Sequence, residues 1–451
     1  PANKALLREA GLLGEAGEAA TANDLVFAVR ARDAAAARAA LEAMASWSSR
    51  TPEEEAHAGM PARTRSLAAG LQTLPGANLA LVSVPGEFAA FEARRALERG
   101  LHVLVFSDNV PIDEELSLKR LAAEKGLLLM GPDCGTALIA GTPLAFANAV
   151  PRGDIGIVSA SGTGLQEVST LIARAGGGIS HGIGVGGRDL DARIGALGTL
   201  AAIEALERDA GTRTIVLISK PPAPRVVRRV LQRLARGTKR YVVCFVGQRR
   251  LAVPSNVKLA HTLREAAALA LGRKLADAPR ARIRKRAGGR WVRGLYCGGT
   301  LCAEAQAVLL GRGLAVSSNA PVPGARAPGR AGHLLLDLGD DEYTRGKPHP
   351  MLEPELRNDH LKKALASPDV AAVLVDLVLG YGAHADPAGV LASALASGGK
   401  RGPPVIASVT GTEGDPQGYS RQVATLCAAG VHVAGSNAQA AELAASLVDR
   451  A

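Results

Sequence analysis

Aromatic residues are scarce in this chain of 451 residues: Phe, Trp and Tyr together make up 3%. With so few rings there is nothing to stack bases against, which weighs against nucleic acid despite a net charge of +11. Cysteine is also rare. Cys134, Cys244, Cys297, Cys302 and Cys427 are odd in number and include no CxxC pair. That excludes a disulfide framework and a zinc site as expectations, and points to a reducing, cytoplasmic setting. No apolar run approaches the ~20 residues of a membrane span, and the longest are broken by Gly, Pro or charge, so no membrane is expected. The opening PANKALLREAG has no charged-then-apolar leader, so no secretion signal is expected. It does not begin with Met either, so an upstream piece is expected. No GxGxxG and no GxxxxGK[ST] follows a strand pattern, which removes the standard dinucleotide fingerprint and the P-loop.

The positive charge is concentrated. Residues 273–293 hold nine Lys/Arg and one Asp, so +8 of the chain's +11 lies there. The stretch reads as a solvated interdomain linker, with a nucleic-acid arm as the alternative.

What the chain has is glycine, 52 residues of it, and short apolar runs within a composition that is 47% hydrophobic. At ~150 residues per domain the length suits about three domains. DLVFAVRA reads as a strand and DAAAARAALEAMASW as a helix, giving a small N-terminal α+β unit over 1–47, followed by a polar linker. Residues 64–150 alternate strand and helix (NLALVSVPGE, HVLVFSDNV, LLLMGPDCGT), as a Rossmann-like unit does. Residues 151–272 form a second unit, with DIGIVSASGTG, SHGIGVGG, TRTIVLISKPP and KRYVVCFVG. Residues 294–451 form a third, opening on RGLYCGGTLCAEA. Strands apolar throughout and joined by helices mean parallel sheets buried on both faces. The expected fold is therefore α/β, with tandem parallel-sheet domains.

Two of these units start alike, with a strand, a small-residue turn and a helix. In SASGTG, Ser159, Ser161, Gly162, Thr163 and Gly164 offer hydroxyls and unobstructed N–H donors at a helix start, where phosphate or carboxylate binds. Ser161 or Thr163 serving only as a helix cap is the plainer reading. Cys297, Gly298, Gly299 and Thr300 make the corresponding start in the third unit, so two helix N-termini can face one ligand. GPDCGT puts Asp133 and Cys134 at a strand's carboxyl end, where open α/β sheets bind ligands; a tight turn with a buried thiol is the alternative. Arg188 in GVGGRDL suits a planar carboxylate, or is a surface arginine. Lys220, closing the strand in ISKPP, is a candidate cation. In DLGDDEYTRGKPHPM, Asp340, Asp341, Arg345, Lys347 and His349 share one polar loop. It reads as a site wall or subunit contact, because no third ligand accompanies the carboxylates and no metal is expected. Thr410, Thr412 and Asp415 end another strand, and His261 reads as structural.

In order along nearly the whole chain, PANKALL, NLALVSVPGE, FSDNV, EKGLLLMGPDCGT, AGTPLAFAN, SASGTG, GGRDL, SKPPA, GLYCGGTLCAEA, LGDDEYTRGKPHPM and VTGTEGDPQ resemble the FdrA family, relatives of the succinyl-CoA synthetase superfamily. The resemblance implies a Rossmann-like unit, two flavodoxin-like units and an ACT-like, incomplete first unit. SASGTG is similar to the SRSGT-like helix start of succinyl-CoA synthetases, which set two facing helix N-termini around a phosphorylated histidine, and CGGT stands where their partner subunit's NGAG-like start would be. The phosphorylated histidine of an HxGHAG-like loop does not carry over, since the chain reads QRRLAVPSNVKLAHTL after YVVCFVG. The CoA and nucleotide signatures are also missing.

The resemblance further implies one subunit of an oligomeric, cytoplasmic oxamate carbamoyltransferase, which turns oxalurate and phosphate into oxamate and carbamoyl phosphate in anaerobic allantoin breakdown. Phosphate or carbamoyl phosphate is then the ligand at residues 159, 161–164 and 298–300, with no certain cofactor. Asp133, Cys134, Arg188, Thr410 and Thr412 are expected at the small-molecule substrate, and Arg188, Lys220 and His349 are the catalytic candidates. An acyl-CoA ligase subunit and a non-catalytic organising subunit are the other two readings.

Overall fold

A computed structural model describes residues 2–21, 24, 26–48, 64–248, 250–276, 283–329, 331–396 and 402–448. Of the linker expected over 48–64, residues 49–63 lie outside the described residues, as does the middle of the basic linker at 277–282, and Ser48 is the last residue of the helix Ala34–Ser48. The chain divides into two compact units, Pro1–Gly76 and Ala77–Ala451.

The first unit contains helices α1 (Ala2–Glu9), α2 (Glu15–Ala19), α3 (Ala34–Ser48) and α4 (Leu67–Thr73), the last capped by the Ser66 side chain. Residues 26–30 of DLVFAVRA are not a strand. A strand needs a neighbour to pair its backbone groups, and no other described segment of this unit supplies one.

The second unit holds three sheets. The first is parallel, in the order β1 (Leu79–Val82), β2 (His102–Val105), β3 (Leu129–Met130), with α5 (Gly86–Glu98) and α6 (Ile112–Glu124) as its crossovers. The second contains β4 (Thr136–Ile139), β5 (Thr142–Ala145), β6 (Arg152–Ser159), β7 (Ile179–Gly184), β8 (Thr214–Ser219), β9 (Arg240–Phe245) and β10 (Val257–Leu259), in the order β10-β9-β8-β6-β7-β4-β5. Its helices are α7 (Gly162–Arg174), α8 (Leu197–Arg208), α9 (Pro224–Ala235) and α10 (Leu263–Leu271). The antiparallel hairpin β4–β5 joins this sheet through β7, although it precedes Gly153 in sequence.

The third sheet contains β11 (Trp291–Tyr296), β12 (Val316–Ser318), β13 (His333–Asp337), β14 (Val370–Val378), β15 (Val405–Thr410) and β16 (His432–Ala434), in the order β12-β13-β11-β14-β15-β16. It carries α11 (Gly299–Gly311). All pairings within it are parallel.

The α/β architecture thus follows the apolar strand pattern. All nine residues of β14 are buried, as a central parallel strand requires. In both larger sheets the first parallel strand lies inside the sheet, with the later strands distributed on its two sides. That is the topological switch point at which open α/β sheets bind ligands. From there α7 leaves β6 and α11 leaves β11. One hydrophobic core runs through both sheets and takes in Leu165, Val168 and Ile172 of α7 with Leu301, Cys302 and Leu309 of α11. Every residue of α11 from Thr300 to Leu309 is buried, so the helix is enclosed on all sides, with its polar Glu304 and Gln306 held by hydrogen bonds.

Candidate functional site

The two helix starts meet. Ser161 caps α7, its Oγ accepting the Gly164 N–H at 2.9 Å, and the same Oγ donates to Thr300 Oγ1 at 2.6 Å. Thr300 lies in the first turn of α11, 139 positions along the chain. Ser159, fully buried, braces the turn by donating to the Ser161 carbonyl at 2.7 Å and accepting its N–H at 3.1 Å.

The start of α11 is crowded by design of its sequence. A Cβ at Gly298 would stand 3.0 Å from Thr163 Cγ2, so glycine lets the two turns close. A Cβ at Gly299 would stand 2.5 Å from Asp337 Oδ2 and 3.2 Å from Lys220 Nζ, so both charged groups reach the first turn of α11. Asp376, buried near the carboxyl end of β14, accepts the Cys297 and Gly298 N–H groups at 2.8 Å each. The guanidinium of Arg357 stands 3.6 Å from Asp376 Oδ1 and donates to its carbonyl at 2.6 Å. Burial raises the Asp376 pKa, against the pull of Arg357 and the two N–H bonds.

Each helix start carries roughly half a positive charge on its free N–H groups. Two such ends in contact repel unless negative charge stands near them. Asp376 answers part of this, but it holds the N–H groups ahead of α11, not those of its first turn. Those of Gly162 and Thr163 on α7, and of Gly299, Thr300 and Leu301 on α11, have no hydrogen-bond acceptor among the described residues. Lys220, exposed at the end of β8, makes no hydrogen bond or ion pair among them either. Unpaired donors and a free ammonium around one contact are the chemistry of an anion site.

The carboxyls around Lys220 are perturbed. Burial pushes Asp337 up to about 6, with Lys220 opposing and Asp340 adding to the rise. Asp133 is also pushed up to about 6, by loss of water and by Asp108, against Arg188 and Lys220. Its side chain keeps contact with solvent, so it sits at the edge of this cluster rather than inside the core.

Other expected site residues have partners elsewhere. Arg188 Nη2 pairs with Glu115 Oε2 at 2.8 Å and donates to the Val110 carbonyl at 2.7 Å. Its neighbour Asp189 takes Lys119 Nζ at 2.7 Å and caps α8 through Gly198 and Thr199. A buried ionic network thus pins the GGRDL loop to α6. The Cys134 thiol is buried, pushed up to about 12, and donates to the carbonyls of Gly184 and Thr136, so it is no nucleophile. Thr410 Oγ1 donates to buried Glu167 of α7 at 2.6 Å, and Thr412 Oγ1 donates to the Ala149 carbonyl at 2.7 Å. His349 accepts the Met351 N–H on Nδ1, and burial holds it below its usual pKa, hence neutral. Its Nε2 comes close to Gly339, beside the Cys297 carbonyl.

Asp337, Asp376, Glu167 and Glu304 did not stand out in the sequence reading, yet three signals for them were there. Asp376 is the one charge in VAAVLVDLV, and Asp337 ends HLLLD. Glu167 and Glu304 follow the same spacing, GTGLQE and GTLCAE.

Comparison with known proteins places the chain. It is 41% identical to the uncharacterized protein YahF of Escherichia coli over a gapped alignment of length 472, covering 99% of this chain and 91% of that one. The chain belongs to the FdrA family. This FdrA-family chain matches the CoA-ligase family over residues 295–447, the part that contains α11. Residues 1–63 match the family described as "AllF, heavy metal-associated domain". The subunit alpha 2 of an ADP-forming succinate–CoA ligase from Archaeoglobus fulgidus is 30% identical over 148 residues, 32% of this chain and half of that subunit. A dinucleotide-forming acetyl-coenzyme A synthetase from Ca. Korarchaeum cryptofilum aligns with 82% of each chain at 16% identity and a TM-score of 0.34.

The heavy-metal description does not fit the residues here. Residues 1–63 contain no cysteine and one histidine, His57, so the thiolates a soft metal requires are missing from that stretch. Among the described residues no group of three or more His, Cys, Asp or Glu could hold a metal ion, and no helix is long and apolar enough to cross a membrane.

Proposed function

We propose that this chain is a subunit of an oxamate carbamoyltransferase, binding phosphate at the joined starts of α7 and α11 and using it to cleave oxalurate. The observation that carries the reading is the Ser161–Thr300 hydrogen bond, which brings two sets of unpaired N–H donors to one place beside Lys220. The AllF-type match at residues 1–63 supports the allantoin context, because the description names a protein of that series.

The chemistry follows from the donors. Phosphate lies on the rim of the Ser161–Thr300 contact, toward Lys220, and one of its oxygens attacks the ureido carbonyl. The C–N bond then breaks, giving carbamoyl phosphate and oxamate. Holding nucleophile and carbonyl together can supply ~7–11 kcal/mol of the barrier. Each preorganised N–H aimed at the tetrahedral oxyanion adds ~3–4 kcal/mol. No histidine relay is needed, in keeping with the missing HxGHAG-like loop. The test is formation of carbamoyl phosphate from oxalurate and phosphate by the chain with its partner subunits. Phosphate-dependent product supports the reading; no product in any subunit combination removes it.

An acyl-CoA ligase subunit is the second reading, favoured by the CoA-ligase match at 295–447 and by relatives named as ligase alpha subunits. It requires CoA binding measurable by calorimetry and nucleotide-dependent acyl-CoA formation.

A further inference from the structure

Breaking the C–N bond of a ureido group leaves an amide nitrogen that must receive a proton as it departs. Resting on the phosphorolysis reading above, we propose that Asp337 supplies it, from the carboxyl oxygen that lies against the first turn of α11.

The position of Asp337 is set by the fold. It ends β13, the strand beside β11, so it stands next to the turn from which α11 leaves. Asn319 fixes its backbone on both sides, accepting its N–H at 2.9 Å and donating to its carbonyl at 2.9 Å. The Gly339 N–H donates to Oδ1 at 3.1 Å, which makes Oδ1 the acceptor and leaves Oδ2 to carry a proton. Oδ2 is the atom that a Cβ at residue 299 would strike. A carboxyl therefore projects at the unpaired N–H groups of α11, where the proposed phosphate binds.

Asp376 and Asp340 are otherwise engaged, and Asp133, raised as well, stands at the solvent-exposed edge of the cluster. Both oxygens of Asp376 accept N–H bonds from the turn. Asp340 caps the short helix Asp341–Thr344 through the Glu342 N–H. His349 is a neutral imidazole, a weak proton donor.

Without phosphate, the Asp337 carboxylate is itself the negative charge at α11, balanced by Lys220. With phosphate bound, two anions would share one helix end, and a carboxyl that is already poorly hydrated resolves the conflict by taking up a proton. That proton is the one delivered. The phosphate oxygen forms the bond to carbon, the nitrogen leaves with the bonding electron pair and takes the Oδ2 proton, and the proton lost by hydrogen phosphate returns to Asp337. Atoms and charge balance without a further reactant. The groups that face Asp337 and set its titration are Lys220 after β8, Asp340 in its own loop, Asp376 on β14 and Cys302 on α11, with His349 beside Gly339.

The experiment is calorimetric titration of the full chain with inorganic phosphate near neutral pH, in buffers of different ionisation enthalpy, for wild type and Asp337→Asn. Wild type is expected to take up a substantial fraction of a proton more per phosphate than the variant does. Equal proton counts in two chains that both bind phosphate overturn the role of Asp337 and leave the anion site standing. Failure of both chains to bind phosphate overturns the site and this inference together. If Asp337→Asn does not fold, wild type alone decides the matter: uptake no greater than the protonation change of phosphate itself overturns the proposal. In the reconstituted complex, the variant is expected to lose at least about a hundredfold in kcat, with the KM for phosphate unchanged or lower.

Discussion

Glu167 of α7 and Glu304 of α11 are held by one residue: the Asn437 N–H donates to Glu167 Oε1 at 3.1 Å and its Nδ2 donates to Glu304 Oε2 at 2.7 Å. The remaining oxygen of each is also satisfied, Glu167 by Thr410 Oγ1 at 2.6 Å and Glu304 by the Leu263 N–H at 2.6 Å. Asn437 opens the helix Asn437–Ser446, so the C-terminal end of the chain fixes α7 against α11. Asn437→Ala keeps the N–H that meets Glu167 but removes the Nδ2 donor from buried Glu304, and is expected to destabilise the protein by about 1–3 kcal/mol in chemical denaturation.

Burial, with Glu167 adding to it, pushes Glu304 up to about 7. An acid whose pKa is higher in the folded chain binds its proton more tightly there. Its stabilising contribution is therefore complete below the ordinary glutamate value of 4.5 and is lost as pH rises through about 7. Glu304→Gln is expected to flatten this fall, which amounts to about 3 kcal/mol. Denaturation midpoints of the two chains across that window measure it.

Gly299→Ala places a methyl group against Asp337 Oδ2 and near Lys220. Either the carboxyl or the first turn of α11 must shift. Phosphate affinity is expected to fall at least about tenfold, with about 1–3 kcal/mol lost from stability. Calorimetry and denaturation separate the two effects. Lys220→Ala, at an exposed side chain, is expected to lower phosphate affinity while leaving stability within about 0.5 kcal/mol.

Cysteine chemistry gives an independent check on Cys134. Four thiols are buried and Cys427 is exposed. Alkylation of the folded chain at mildly alkaline pH is expected to modify Cys427 first, with Cys134 protected until unfolding. Cys134→Ala is expected to keep phosphate binding within about twofold. Early labelling of Cys134, read by mass spectrometry, would contradict the burial that raises its pKa.

The fold was legible because parallel strands buried on both faces write themselves as unbroken apolar runs, as in TIVLIS and VAAVLVDLV. The paired helix starts were legible too, since SASGTG and CGGT follow such runs directly. DLVFAVRA misled because a β pattern only becomes a strand where another strand is placed to pair with it. The partners of Arg188 and Thr410 could not be read, since Glu115 and Glu167 lie far away in sequence. Asp337 escaped notice among Asp340 and Asp341 in one acidic loop. Only the close approach at Gly299 singles it out.

Each step of the proposed reaction needs a phosphate held at the joined starts of α7 and α11. A crystal structure of the chain grown with phosphate tests this most directly. Tetrahedral density is expected within hydrogen-bond reach of the N–H groups of Gly162, Thr163, Gly299 or Thr300 and of Lys220 Nζ, with Ser161 and Thr300 still in contact. Saturating phosphate that leaves those N–H groups bare, or binds only at another face of the molecule, would contradict it.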